Sequence, residues 1–169
     1  MPIQSLLPVQ SLVPGARVAL IAPSGPLHGE ADIQRGCETV QSFGWEPVLG
    51  EYLLARYSYF AATDEQRLAD FNRMLRDDSV DAIWCLRGGY GAMRILSGLD
   101  WEALRRRPRA VMGYSDITAF HAAIGRICGI VSYHAPVARA ELTPFSLDSF
   151  GRALVTYTDP CGYAPAARV

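Results

Sequence analysis

Long hydrophobic runs are missing from this 169-residue sequence. No stretch approaches the length needed for a membrane-spanning helix. The opening Met1-Pro2-Ile3-Gln4-Ser5 has neither a basic n-region nor an apolar h-region, so no secretory signal is expected. An excess of either charge is also missing. The net charge is −1, which gives no electrostatic reason to expect a nucleic acid or an anionic membrane as partner. The four cysteines, Cys37, Cys85, Cys128 and Cys161, show no C-x-x-C spacing and no histidine pattern beside them. That argues against a zinc site, and no metal is expected. A Walker loop is absent. The G-x-G-x-x-G of a dinucleotide site is absent where it would be needed, because Pro23-Ser24-Gly25-Pro26 follows the first apolar run. Histidine is scarce as well. Only His28, His121 and His134 are available as imidazole bases.

What is present is ordinary for a globular chain. Half the residues are apolar and a fifth are charged. The length suffices for one domain with a real core. Cys37, Cys85 and Cys128 lie in apolar patterns and read as small core residues, and the expected setting is the reducing cytosol. Arg105-Arg106-Arg107 with Arg109 is the one basic cluster. It reads as a solvated helix end whose cations complement the dipole, with phosphate binding as the alternative.

Strand and helix patterns alternate along the chain. Residues 1–16 form a lead-in broken by Pro8 and Pro14. Arg17-Val18-Ala19-Leu20-Ile21-Ala22 reads as a buried parallel strand. Residues 30–43 read as a helix with Ile33, Cys37 and Val40 on one face and Gly44 at its end. Residues 46–49 read as a second strand, which Pro47 places at a strand start or a sheet edge. A loop over 51–62 carries Tyr52, Tyr57, Tyr59 and Phe60. Most of these aromatics are expected to pack the loop down, although aromatics beside a cleft also line ligand sites. Thr63-Asp64-Glu65-Gln66 is a capping box. The helix it opens should bury Leu68, Phe71, Met74 and Leu75 and leave Arg67 and Asp70 outward or locally paired. Residues 80–86 read as the third strand, 92–99 and 101–106 as short helices, 110–112 as the fourth strand and 130–133 as a fifth. The helix over 117–127 should bury Phe120, Ile124 and Ile127. Residues 142–155 look helical, and the tail from Tyr157 is irregular. The alternation predicts an α/β layered domain over 17–156, with a mostly parallel sheet flanked by helices in a flavodoxin-like or Rossmann-like three-layer arrangement.

In such sheets ligands bind beyond the carboxyl ends of the strands. Four loops should therefore meet on one rim: Pro23-Ser24-Gly25-Pro26, Arg87-Gly88-Gly89-Tyr90-Gly91, Gly113-Tyr114-Ser115-Asp116 and His134-Ala135-Pro136. The third follows a strand and opens a helix, which is the logic of a nucleophile elbow with Ser115 exposed near helix amides. An elbow usually has glycine two residues before and two after its serine. Gly113 fills the first position, but Ile117 stands in the second. The plainer alternative is that Ser115 or Asp116 caps the helix. Gly88 and Gly89 let backbone amides point at a ligand. Those amides could complete an oxyanion hole with the amide of Asp116, cradle a phosphate, or simply form a tight turn. Arg87 could hold a carboxylate or pair with a local acid. His121, six residues after Ser115 on the same helix, should point well away from the turn; His134 ends a strand and could reach the rim but lacks an evident acidic partner; and His28 lies on a different loop, so no convincing Ser-His-acid set can be assembled from these residues.

Taken together the motifs are more specific than any one of them. Ala22-Pro23-Ser24-Gly25-Pro26, Phe60-Ala61-Ala62-Thr63-Asp64-Glu65-Gln66-Arg67-Leu68-Ala69-Asp70, Ile83-Trp84-Cys85-Leu86-Arg87-Gly88-Gly89-Tyr90-Gly91 and Gly113-Tyr114-Ser115-Asp116-Ile117-Thr118 occur in order over about residues 15–136. The chain resembles the LD-carboxypeptidases, the serine peptidase family that includes muropeptide LD-carboxypeptidases and microcin C immunity-type enzymes. One departure is Ala135, where the family usually has glycine after the histidine. The resemblance implies a Ser-Glu-His triad in which Ser115 is the nucleophile and the amides of Gly88 and Asp116 form the oxyanion hole. Arg87, Gly89, Tyr90 and Ser24 are the candidate substrate contacts on the same loops. The family's glutamate and histidine lie in a C-terminal domain that docks on the rim. Residues 157–169 would begin the linker to it, with that domain absent from this sequence. The implied activity is hydrolysis of the amide that releases terminal D-alanine from murein tetrapeptides in the cytoplasm. No cofactor is implied, and a homodimer is. A non-catalytic α/β module that binds a peptide or carboxylate is the alternative.

Overall fold

The computed structural model describes residues 6–155. The expected tail from Tyr157, the linker over 157–169 and Cys161 lie outside the described residues.

Five short parallel strands form one sheet: β1 (Arg17–Ile21), β2 (Glu46–Leu49), β3 (Ala82–Cys85), β4 (Ala110–Gly113) and β5 (Tyr133–His134). Their order is β2-β1-β3-β4-β5. This is the flavodoxin-like order 2-1-3-4-5. Every residue of β3 and β4 is buried, which explains why those stretches read as unbroken apolar runs rather than alternating ones. β2 is an edge strand, so Pro47 removes no ladder donor that an inner strand would need. The fifth strand falls later than the pattern suggested. Ile130 instead bridges Leu7 of the lead-in, and Tyr133 and His134 pair with Met112 and Gly113. The lead-in thereby packs on the domain, with Val9 and Leu12 buried.

Among the described residues six α-helices cover the sheet: α1 (Glu30–Ser42), α2 (Asp64–Arg76), α3 (Ala92–Ile95), α4 (Trp101–Arg106), α5 (Thr118–Ala123) and α6 (Pro144–Phe150). Gly44 ends α1 at φ 75°. The capping box opens α2 as its sequence requires, with Thr63 and Gln66 exchanging both bonds. On one face an aromatic cluster gathers around the fully buried Trp84. Phe150 of α6 stacks on it at 4.9 Å, and Phe43 stacks on Trp45 at 4.7 Å. Trp84 Nε1 donates to the Pro136 carbonyl at 2.8 Å, so the indole is buried with its polar handle satisfied. On the other face Phe71 of α2 meets Phe120 of α5 edge-on at 5.0 Å.

Burial decides several of these expectations. Arg67 and Asp70 do not face outward but take the local-pairing alternative, with Asp64 and Arg73, and they do so buried, at 2% and 4% exposed. Asp70 accepts from the amides of Glu51 and Tyr52, and Arg67 donates to the Pro23 and Gly91 carbonyls and to Asp64. These buried groups survive because each finds partners. Arg109 is no solvated helix end. It is buried just before β4, donates to the carbonyls of Met74 and Asp77, and its pKa is pushed down to about 10 by burial. Ile127 is exposed because α5 gives way to a π-turn over Ile124–Cys128, which rotates it off the face held by Phe120 and Ile124. Tyr57 and Tyr59 do not pack their loop down; both point to solvent. Cys85 is buried, whereas Cys37 and Cys128 are only partly so. Among the described residues no helix is long and apolar enough to cross a membrane, and no group of histidine, cysteine and acid side chains is placed to hold a metal.

Candidate functional site

The three glycine-bearing loops after β1, β3 and β4 close on one another at the carboxyl ends of their strands. Leu86 continues the β3 ladder by donating to Ile21, and the Gly25 amide then donates to the Gly88 carbonyl at 2.9 Å. Gly88 backs directly onto the elbow. A Cβ there would lie 3.0 Å from both Ser115 Cβ and the Tyr114 carbonyl. Only a hydrogen lets the backbone approach the serine this closely.

The elbow itself is bent. Ser115 has φ 65°, a left-handed conformation that a residue with a side chain adopts at a cost of about 1–2 kcal/mol. The surrounding contacts hold it there. Gly113 is needed because Ile117 folds back over it, with Cγ2 2.9 Å from where a Cβ would sit. This accounts for the missing second glycine. The buried Ile117 anchors the turn from inside, while Tyr114 and Ser115 stay exposed on the rim. A short 3-10 turn, Ser115–Ile117, leads into α5, and Asp116 sits in its first turn, where amides lack intrahelical acceptors. The amides of Gly88 and Gly89 likewise have no acceptor among the described residues. These donors could receive a developing oxyanion.

The capping alternative is half right in an unexpected way. Neither residue's side chain caps its own turn. Asp116 instead accepts from the Ala92 amide at 2.8 Å, capping α3 across the rim. That amide has no local side-chain cap, since Gly91 precedes it. Asp116 thus clamps the glycine loop to the elbow. The sequence offered no signal for this, because the two residues are far apart in the chain.

The remaining candidates are placed as follows. Ser24 is fully buried and its Oγ has no partner. Its carbonyl accepts from Ala61, tying the β1 loop to the segment before α2. Tyr90 and Gly89 are exposed on the rim, and Tyr90 stacks on Phe60 at 6.0 Å. Phe60 in turn lies beneath the guanidinium groups of Arg67 and Arg94 at 5.0 and 5.1 Å. Arg87 pairs with no acid. It donates to the Pro26 carbonyl, and its Nη1 lies 3.3 Å from His28 Nε2.

No base is set for Ser115 among the described residues. His121 does not lie away from the elbow as the helix spacing suggests. Its Nε2 meets the Gly113 carbonyl at 2.9 Å and its Nδ1 meets Ser132 Oγ at 3.0 Å. A carbonyl can only accept, so the neutral ring carries its proton on Nε2 and both nitrogens are occupied. Burial holds this imidazole below its ordinary value. His134 is exposed beside Tyr114, at 6.4 Å between rings, with no carboxylate on it. The sequence has no lysine, so a lysine base is excluded within these residues.

The pattern of strands and loops that builds this rim has known counterparts. Residues 18–135 match the sequence pattern of the LD-carboxypeptidase N-terminal domain. The chain belongs to that family. A Streptomyces coelicolor protein named as a carboxypeptidase is 44% identical over 131 residues, covering 75% of this chain and 42% of its own length. The murein tetrapeptide carboxypeptidase of Pseudomonas aeruginosa is 39% identical over 132 residues, covering 77% of this chain and 42% of its own. The MccF-like protein of Bacillus anthracis superposes with a TM-score of 0.82 at 24% identity, covering 88% of this chain and 47% of that one, and supports the fold. The chain therefore spans less than half the length of the relatives it matches. As an LD-carboxypeptidase N-terminal domain, it places its exposed serine on the rim formed by the strand ends, as the doubly wound architecture directs.

Proposed function

We propose that this chain carries the nucleophile and oxyanion hole of a serine-type LD-carboxypeptidase acting on murein tetrapeptides. The observation that carries the reading is Ser115 itself: exposed, left-handed, at the end of β4 and pressed against the hydrogen-only Gly88. Ser115 Oγ attacks the carbonyl of the L–D amide while its proton passes to a base. The carbonyl oxygen becomes an oxyanion facing the amides of Gly88 and Asp116. The C–N bond then breaks, D-alanine leaves with the proton, and water cleaves the acyl-serine ester. The base and its orienting acid come from outside the described residues, since His121 is spoken for and His134 has no acid partner. The 169 residues alone are then slow by several orders of magnitude. A cytoplasmic location and a homodimer belong to the same proposal.

Fluorophosphonate treatment followed by intact mass and peptide mapping tests it. One adduct on Ser115, absent from Ser115→Ala, is expected. An adduct on another residue with Ser115 unmodified refutes the assignment. Rapid, Ser115-dependent release of D-alanine by the 169-residue chain refutes the division of the triad. That none of the three histidines meets a carboxylate side chain through its ring among the described residues favours one second reading, a module that binds peptide or carboxylate without cleaving it. Stoichiometric peptide binding with no acyl-enzyme in the presence of a complete triad would select it.

A further inference from the structure

In the strand order 2-1-3-4-5 the chain leaves β1 for β2 on one side and returns to β3 on the other. The crevice between the ends of β1 and β3 is the topological switch point, where doubly wound sheets commonly hold a ligand. Ser115 lies one strand further along, at β4. The switch point itself carries a separate cavity of about 250 Å³. Its walls come from the loops after β1, β2 and β3, and include Pro26, His28, Arg56, Ser58, Tyr59 and Arg87.

The charge in that cavity is one-sided. Ten arginines elsewhere pair with a carboxylate: Arg35, Arg67, Arg73, Arg76, Arg94, Arg105, Arg106, Arg107, Arg139 and Arg152. Among the described residues Arg56 and Arg87, like Arg17, Arg109 and Arg126, do not, and Arg56 and Arg87 both line this one cavity, whose walls contain no acid. The nearby Asp32 accepts from the His28 amide but is already engaged by Arg35 and Arg139. Arg87 spends one nitrogen on the Pro26 carbonyl and on His28, and its Nη2 keeps no acceptor among the described residues. His28 Nε2 must accept from Arg87, because a guanidinium only donates. Arg56 has no hydrogen bond or ion pair among the described residues. The opposite wall is fixed. Tyr57 and Phe60 exchange both backbone bonds, at 3.1 and 2.9 Å, and hold Ser58 left-handed at φ 55° between them.

We propose that Arg56, Arg87 and His28 form an oxyanion subsite at this switch point that holds a side-chain or backbone carboxylate of an acidic peptide. Two guanidinium groups lining one acid-free cavity suit a planar carboxylate, which a guanidinium can grip through paired N–H donors. Arg87 is joined directly to Gly88, which touches Ser115, so a carboxylate held here fixes the rest of the peptide relative to the rim. The peptide half of the inference rests on the peptidase reading, whereas the carboxylate half does not.

Calorimetric titration of the 169-residue chain in a Ser115→Ala background tests both halves. The probes are L-Ala-γ-D-Glu-L-Lys-D-Ala, the same peptide with its carboxylates converted to carboxamides, and succinate. Amidation is expected to weaken peptide binding about tenfold or more in the parent, the loss of one or two charge-assisted bonds. R56Q/R87Q is expected to bind the acid and amide peptides alike and to lose succinate. Arg56→Gln alone removes an exposed, unpartnered side chain and leaves the fold intact, and it should lose several-fold on the acid peptide only. An unchanged acid preference in the double variant, or in Arg56→Gln together with Arg87→Gln measured singly, overturns the subsite. Succinate binding that depends on both arginines, with no binding of either peptide, upholds the carboxylate half of the inference and overturns its peptide half, while the Ser115 adduct tests the peptidase reading separately.

Discussion

Replacing Asp116 by alanine tests whether the elbow and the glycine loop are one mechanical unit. In the folded chain the Asp116 carboxylate accepts from the Ala92 amide at 2.8 Å. That amide opens α3, and the residue before it is Gly91, which has no side chain to cap it. The alanine variant loses an N-terminal cap supplied from another element and leaves a donor with no protein acceptor. Cap removal costs about 1 kcal/mol, and a stranded donor about 1–3 kcal/mol when water cannot reach it. Asp116 itself is only partly buried although Ala92 is fully so, and a loss of about 1–2 kcal/mol is expected. For a domain of this size that is about 2–8 °C in melting temperature. Asp116→Asn keeps an oxygen acceptor and should recover most of the loss. Circular dichroism melts of the three proteins under one buffer decide the matter. A melt of Asp116→Ala within about 1 °C of the parent, or an asparagine variant as weak as the alanine one, refutes the clamp. Backbone amide exchange at Ala92 adds a local readout, and it should accelerate in Asp116→Ala more than amides of β1 do.

Two further outcomes follow from buried charge. Arg67→Met strips donors from the Pro23 and Gly91 carbonyls and a partner from Asp64, so urea unfolding should show a loss of about 2–3 kcal/mol, with the loops after β1 and β3 loosened together. The carboxyl of Asp64, hydrogen-bonded by Arg94 and Arg67, is held below the ordinary 3.8, as is Asp100 by the Ala103 amide and Arg76. Groups lowered in the folded state bind fewer protons there than in the unfolded chain, so their stabilisation is complete above the ordinary value and fades as pH falls through the lowered ones. Denaturant midpoints should therefore drop as pH is taken from about 4 to 2, less steeply in Asp64→Asn, and a midpoint that rises on acidification contradicts this.

The sequence by itself determined the elements and the loops that matter. The stretches at β1, β3 and β4 are unbroken apolar runs because both faces of each strand are covered, and that signature is local. The capping box at Thr63, the Gly44 terminator and the strand-turn-helix at Ser115 are equally local, since each depends on residues within a few positions. The differences had more than one cause: a π-turn rotates Ile127 outward, and pairing with β4 starts the fifth strand at Tyr133. Arg109 looks like a solvent residue, and Arg67 and Asp70 like outward or locally paired ones, because charge usually is solvated, and only the folded chain brings carbonyls and amides to meet them. His121 looks remote from Ser115 along its helix, yet it is folded against the Gly113 carbonyl by the neighbouring strand. The grip of Asp116 on Ala92, the close approach of Gly88 to Ser115 and the placing of Arg56 and Arg87 on one cavity were decided by the tertiary structure alone. Each joins loops that follow different strands. Which loops become neighbours is set by the order β2-β1-β3-β4-β5, and that order is a property of pairing between distant segments, which no local pattern of residues encodes.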